Sequence, residues 1–457
     1  MERGRHRAMS GGPPGRRRYV ICTTPAHGHT APLLALARRL VEQGDAVTFF
    51  TTAHYRAQVE ATGAAFVAFA PEDDAHDLMV ANPDREAAGR RGVGGVKDDL
   101  RRIFIGPLPG QYRALAAILA DEPADCVVVD TMFFGALPLA LAPAPDRPAL
   151  ACVGVMPYAS SSRDTAPFGT ALQPGTGPLA RARNRTLNWL TQHVALVDIQ
   201  RFARRRLAEV GVAGFPGYFI DLQPKVVDAF FQLSVAGFEY PRSDLAPSVR
   251  FVSPVLVPPS VSCEPPPWWD ELAADRPVVH VTQGTLDNAD LGRLVLLSAR
   301  ALARDDVLVV ATTGGPDPAP LRHGLPANVR LERFIPHDVL LPHVDAMVTN
   351  GGYGGVQQAL AHGVPLVVAG NSEDKPEVAA RVQWSGAGVN LHTGGPSPAM
   401  VARAVRRVLS HASYRRRARA LAAEIAASDP LGTISAGLAD LCATRAERAH
   451  EPQRVTR

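Results

Sequence analysis

The stretch Asp345–Val382, DAMVTNGGYGGVQQALAHGVPLVVAGNSEDKPEVAARV, decides the fold. It predicts an apolar strand over Ala346–Val348, then a turn carrying Gly351, Gly352, Gly354 and Gly355. A helix over Val356–His362, a buried strand over Val364–Ala369 and an acidic loop complete it. Glycines at a strand-to-helix turn let the backbone approach a ligand closely, and the helix start adds N–H groups and a positive dipole end. That combination suits a diphosphate. The acidic loop falls at the same sheet edge, where carboxylates can hold sugar hydroxyls.

The same strand–helix–strand rhythm recurs outward in both directions. Tyr19–Thr23 reads as a buried strand, followed by a His/Gly turn and an amphipathic helix over Pro32–Gln43. Gly44 stops that helix, and Ala46–Thr51 is the next strand. Ala64–Phe69, Asp125–Val129 and Leu150–Val155 continue the series, which predicts a parallel sheet covered on both faces. From Tyr158 to about Gln232 the chain turns irregular, rich in Pro, Gly and aromatics, then helical and Arg-rich; such a region often walls a ligand site. A second series follows at Val278–Thr282, Val307–Thr312 and Val329–Phe334, with helices near Met400–Leu409, His411–Ala427 and Thr433–Arg448.

The expected fold is therefore α/β, two tandem Rossmann-like doubly wound domains with an interdomain cleft, the ligand crevice lying at the carboxyl ends of the strands. The expected partition is a disordered tail over 1–17, an acceptor-side domain over 18–252, a proline-dense linker over 253–276, a donor-side domain over 277–445 and a tail over 446–457. The last helix is a candidate to pack back on the first domain. With 457 residues, two domains of roughly 200 each are the natural partition.

Net charge is +4, and much of the basic excess sits in the terminal segments, which gives no support to a nucleic-acid surface. The five cysteines, Cys22, Cys126, Cys152, Cys263 and Cys442, lack metal-ligand spacing and read as free thiols of a reducing compartment. The start has positive charge but no apolar core before a cleavage site. The longest apolar stretch, Cys126–Ala142, holds Asp130 and Pro138 and is short for a membrane span. A cytoplasmic protein without stable membrane insertion, monomeric or homodimeric, is expected.

Four motifs in order, PAHGHTAP at 25–32, VTQGT at 281–285, RFIP at 333–336 and NGGYGG at 350–355, resemble those of family 1 glycosyltransferases. More narrowly they are similar to those of bacterial macrolide and natural-product glycosyltransferases with the two-domain GT-B fold, over roughly residues 19–445. The resemblance implies inverting, metal-independent transfer of a hexose from a UDP- or TDP-sugar to a hydroxyl of a small lipophilic acceptor. The nucleotide sugar is a co-substrate, and no cofactor or metal is implied.

An acceptor hydroxyl needs a base, and a histidine held by a carboxylate serves near neutral pH. His29, three residues before Pro32, matches the position of the family's base in the turn after the first strand; His27 is the rival. Asp130 ends the strand before it and matches the acid that orients the imidazole, although an Asp there also caps helices. On the donor side the resemblance points to Gly284 and Thr285 for a phosphate, Phe334 and Ile335 for the base, and Gly352, Gly354 and Gly355 for the cradle. Three positions depart from the pattern. Asn350 stands where a diphosphate-binding histidine is usual, and Gln358 where an acid binds ribose. In the sugar loop Asp374 matches the acid, but Lys375 replaces glutamine and either reaches a phosphate or an acidic sugar or points to solvent beside Glu373 and Glu377. Phe133, Phe134, Met156, Tyr158, Phe168 and Phe215–Phe219 are candidates for an apolar acceptor wall, or for core. Alternatives to the transferase are a sugar-nucleotide epimerase and a non-catalytic helper; the His29–Asp130 pair counts against both.

Overall fold

The computed structural model describes residues 16–80, 92–143, 147–256, 264–285, 288 and 290–450. Most of the expected N-terminal tail, the middle of the proline-dense linker, the end of the C-terminal tail and Cys263 lie outside these residues. The other four cysteines are buried and free.

Two parallel sheets organise the chain. The first contains β1 (Arg18–Cys22), β2 (Ala46–Thr51), β3 (Ala65–Ala68), β4 (Cys126–Asp130), β5 (Ala149–Gly154), β6 (Ala229–Leu233) and β7 (Val249–Val252) in the order 3-2-1-4-5-6-7. The second contains β8 (Val278–Thr282), β9 (Leu308–Thr312), β10 (Val329–Glu332), β11 (Ala346–Thr349), β12 (Leu366–Val368) and β13 (Gly388–Asn390) in the order 10-9-8-11-12-13. In each, the chain first winds outward and then returns to the other side of its starting strand. That reversal opens a crevice between β1 and β4, and another between β8 and β11. Strands such as β4, CVVVD, are buried along their whole length because helices cover both faces.

Three strands escape the sequence reading: β6, β7 and β13. β7 reads VRFV and β13 only GVN, too short for a period to show. The helices that matter for the site are α1 (His27–Glu42), α2 (Leu108–Asp121), α3 (Pro178–Leu190), α4 (Tyr353–Ala361), α5 (Lys375–Trp384), α6 (Pro398–Ser410), α7 (Ala412–Ala426) and α8 (Pro430–His450). Both ligand-edge helices start earlier than their periodicity suggests. Helix α1 begins at His27, with Pro32 inside it, so His29 lies in a first helical turn rather than in a loop. Helix α4 begins at Tyr353, which places Gly354 and Gly355 within it. The apolar period starts only after the ligand-facing turn, and this hides that turn from a periodicity count.

The two halves touch extensively. Phe238, from the first half, is fully buried in a core shared with β8–β12 residues, and the Tyr353 hydroxyl donates to the Leu233 carbonyl at 2.8 Å. Helix α8 returns to the first sheet, where Ile434, Leu438 and Cys442 join a core with Ile21, Leu33 and Val128. Among the described residues one helical run, Val93–Asp121, is long and apolar enough to cross a membrane by length and composition. Its Leu100, Ile105, Leu108 and Leu115 are buried in the protein.

Candidate active site

The four loops that leave β1, β4, β8 and β11 at their carboxyl ends build the site. Register sets the first pair: Tyr19 lies beside Cys126 and Cys22 beside Val129, which brings Asp130 level with the segment after β1. Asp130 is fully buried. Its carboxylate accepts from the Thr24 amide, from the Thr24 hydroxyl at 3.1 Å, from the Met132 amide at 2.7 Å and from His29 Nδ1 at 2.8 Å. A carboxylate only accepts, so Nδ1 carries the proton and the lone pair of a neutral His29 is on Nε2. The bond from Met132 shows that capping and orienting are combined in one residue. His27 is exposed, and it is His29 that engages Asp130.

Burial works against a charged His29, but the Asp130 carboxylate outweighs it, aided by Asp374 and Glu373, and the imidazole pKa lies above its usual value. Burial likewise opposes the Asp130 charge, but His29 and the Thr24 and Met132 amides hold its pKa below the usual carboxylate range. Asp374 belongs to the other half of the chain, and its carboxylate lies near enough to favour the charged His29 imidazole. Burial, then the neighbouring Glu373 carboxylate, push Asp374 up to about 6.

On the second sheet, Gly284 adopts φ +73° after β8, and Thr285 is exposed. In α4 the first ladder bond runs from the Val356 amide to the Gly352 carbonyl, so the Tyr353, Gly354 and Gly355 amides precede it. Among the described residues, a Cβ added at Gly354 would meet no atom beyond its own helical turn within 4 Å. Glycine in a helix costs about 1 kcal/mol relative to alanine, so the position has a local cost without a packing reason. Gly351 and Gly370 differ: a Cβ there would strike the Val368 side chain at 2.7 Å and the Asn350 carbonyl at 1.9 Å. Phe334 is 60% exposed on the loop after β10 and is free to stack on a planar ligand, whereas the Ile335 side chain is core.

The three departures from the family pattern acquire partners. Asn350 is buried, donates from Nδ2 to the Gln283 carbonyl at 2.6 Å and accepts from the Gly352 amide at 3.3 Å. It therefore braces the β8 loop against the β11 loop. Gln358 accepts from His337 Nδ1 at 2.8 Å. Lys375 does not point to solvent: it is buried, with Nζ 2.6 Å from Glu373 and 3.0 Å from the Ser372 hydroxyl. Glu377 pairs instead with Arg381. Of the aromatic candidates, Phe133, Phe134, Tyr158 and Phe219 are buried in core clusters; Met156, Phe168 and Phe215 are partly exposed. Sequence reading overlooked the buried Glu239–Arg381–Glu377 cluster, whose members lie up to 142 residues apart. Among the described residues no group of three or more His, Cys, Asp or Glu side chains is placed to hold a metal ion.

Two tandem doubly wound domains with a shared crevice define the GT-B class of glycosyltransferases, and known structures agree. The glycosyltransferase of kitacinnamycin superposes with a TM-score of 0.69 at 21% identity, covering 93% of this chain and 99% of that one. CalG4, the calicheamicin glycosyltransferase, gives 0.67 at 22%, covering 94% and 99%. Residues 297–439 match the C-terminal domain of the erythromycin biosynthesis protein CIII-like family. The chain is 47% identical over 420 residues to 4'-demethylrebeccamycin synthase of Lentzea aerocolonigenes, covering 90% of this chain and 96% of that protein. It is 36% identical over 440 residues to UDP-glycosyltransferase 2 of Phaeomoniella chlamydospora, covering 93% and 95%. The chain belongs to the family 1 glycosyltransferases of the natural-product type, and it is a nucleotide-sugar-dependent hexosyltransferase.

Proposed function

We propose that the protein transfers a hexose from a UDP- or TDP-sugar to a hydroxyl of a lipophilic natural product, with inversion and without a metal ion. The observation that carries this reading is the 2.8 Å bond from His29 Nδ1 to buried Asp130, with Asp374 acting on the same imidazole from across the cleft. His29 Nε2 takes the acceptor proton as the oxygen attacks the anomeric carbon, and the diphosphate departs from the opposite face. Asp130 holds the tautomer and stabilises the imidazolium that forms. Asp374 accepts from sugar hydroxyls. The α4 N-terminus, Gly284 and Thr285 receive the diphosphate, Gln358 faces the ribose, and Phe334 stacks on the base. In this reading the main-chain amides of α4, not a histidine at 350, carry most of the phosphate binding. Lys375 keeps Glu373 paired at the sugar loop rather than contacting the donor.

Calorimetric titration with UDP, TDP and GDP in EDTA-containing buffer tests the donor half. Micromolar binding of UDP or TDP, undiminished by chelator, is expected; binding that appears only with added divalent metal would overturn the metal-free reading. The epimerase and the helper both lose ground if a sugar is then passed to an acceptor.

The acid limb of kcat/KM should reveal two groups. His29 acts as a base only when neutral, and its pKa is raised above the ordinary value of about 6.5, so activity falls as pH drops through that higher point. Asp374, at about 6, then protonates and ceases to be a pure acceptor. The slope should therefore steepen from one decade per pH unit to nearly two below pH 6. In Asp374→Asn the steeper part should vanish at a higher donor KM. A profile flat from neutrality to below pH 6 would remove His29 as the base.

A further inference from the structure

Helix α5 begins at the sugar loop, with Asp374 as its N-cap, and its first turn carries Glu377. That side chain is 4% exposed and does not face its own sheet. Its Oε1 accepts two amides of the first half, Gly169 N–H and Ala171 N–H, each at 2.8 Å. Its Oε2 is 2.9 Å from Arg381, one turn further along α5. Arg381 is fully buried: it donates through Nε to Glu239 at 2.8 Å and lies 4.2 Å above the Tyr240 ring. Glu239 in turn accepts the Tyr158 amide at 3.1 Å.

The segment thus held is the wall that leaves the carboxyl end of β5, beside Asp130. Its far flank is fastened within its own half. Ser161 donates to Asp221 at 2.7 Å, the Ser243 amide donates to Asp164 at 2.7 Å, and Asn188 donates to the Ser162 and Thr165 carbonyls. The turn at Gly169–Ala171 has the Glu377 contacts from the other half. Ala171 sits at φ +53°, a left-handed conformation that is unfavourable for a non-glycine residue and persists only where the surroundings impose it. Two amides converging on one carboxylate oxygen supply that imposition.

We propose that Glu377 is a positioning residue of the donor half that shapes the acceptor wall at Pro167–Leu172. The inference rests on the transferase reading, in which the transferred sugar occupies Asp374. Fixing Asp374 fixes the first turn of α5, and Glu377 passes that order to the wall. The acceptor pocket then assumes its final shape when a donor is in place, so that the activated sugar meets an ordered acceptor.

Hydrogen–deuterium exchange on the full chain tests this without a known acceptor. In Glu377→Ala the Gly169 and Ala171 amides should exchange at least about tenfold faster, while β4 amides keep their protection and so report an intact fold. Glu377→Gln keeps one oxygen to accept both N–H groups but turns an NH2 toward Arg381, so it should restore part of the protection. Added UDP-glucose or TDP-glucose, whose hexose would occupy Asp374, should slow the 167–172 segment further in the native chain and not in Glu377→Ala. Unchanged exchange at Gly169 and Ala171 in Glu377→Ala would overturn the proposal, as would failure of Glu377→Gln to rescue. If no nucleotide binds the native chain, the donor reading fails, and the nucleotide-free arm still decides whether Glu377 holds the wall.

Discussion

Replacing His29 with alanine is expected to lower kcat by about 10²–10⁴-fold, the range associated with a positioned general base. The reason is local. Nδ1 of His29 is committed to Asp130, which leaves Nε2 as the basic nitrogen of the neutral ring. Nucleotide affinity should stay within a few-fold of the native value, since the proposed diphosphate cradle lies on the other half. Stability should fall by about 1–3 kcal/mol, because the buried Asp130 carboxylate loses one charge-assisted partner and keeps those from Thr24 and Met132. Steady-state turnover measured well below the melting temperature separates the two effects. The double variant His29→Ala/Asp130→Asn should be hardly slower than His29→Ala alone, because the two side chains act as a unit. Native turnover in His29→Ala would place the base elsewhere.

The second large effect is expected from Gly354→Val. Among the described residues nothing beyond its own helical turn occupies the space beside that Cα, so the fold should tolerate the side chain, and leaving glycine should leave stability unchanged or slightly raised. The added methyls enter the volume above the α4 amides, where the diphosphate would lie. Nucleotide binding should weaken by about 100-fold, or about 2.8 kcal/mol. Calorimetry and a thermal melt on the same sample check both halves of this expectation. Undiminished nucleotide affinity would show that the α4 N-terminus is not the cradle. A lower melting temperature together with weaker binding would instead point to ordinary packing damage.

Much of the architecture is legible in the chain because its signals are local. Buried parallel strands such as Val278–Thr282 announce themselves as apolar runs, and the glycines at 351–355 mark a close approach of backbone to something. The contact between His29 and Asp130 is legible only through a motif match, since 101 positions separate the two residues. Helix starts are less so. The first turns of α1 and α4 are interrupted by His27, Gly28 and His29 and by Gly354 and Gly355, and periodicity therefore detects each helix several residues late. The acceptor aromatics show the opposite failure: a buried Phe133 and a partly exposed Phe168 look alike in sequence.

The sequence by itself determined two doubly wound sheets, the edge of each sheet that faces a ligand, and the residue types available there. Those follow from hydrophobic periods, glycine freedom and the carboxyl-end rule, all of which operate within a few residues or one strand–helix unit. Only the tertiary structure decided partners. It gave Asn350 the Gln283 carbonyl as a partner, and it turned Lys375 inward to Glu373. It also passed Glu377 across the cleft to Gly169 and Ala171. A hydrogen bond acts over about 3 Å, with no regard for the 208 residues that separate Gly169 from Glu377. Which acceptor a donor reaches is fixed when the sheets pack.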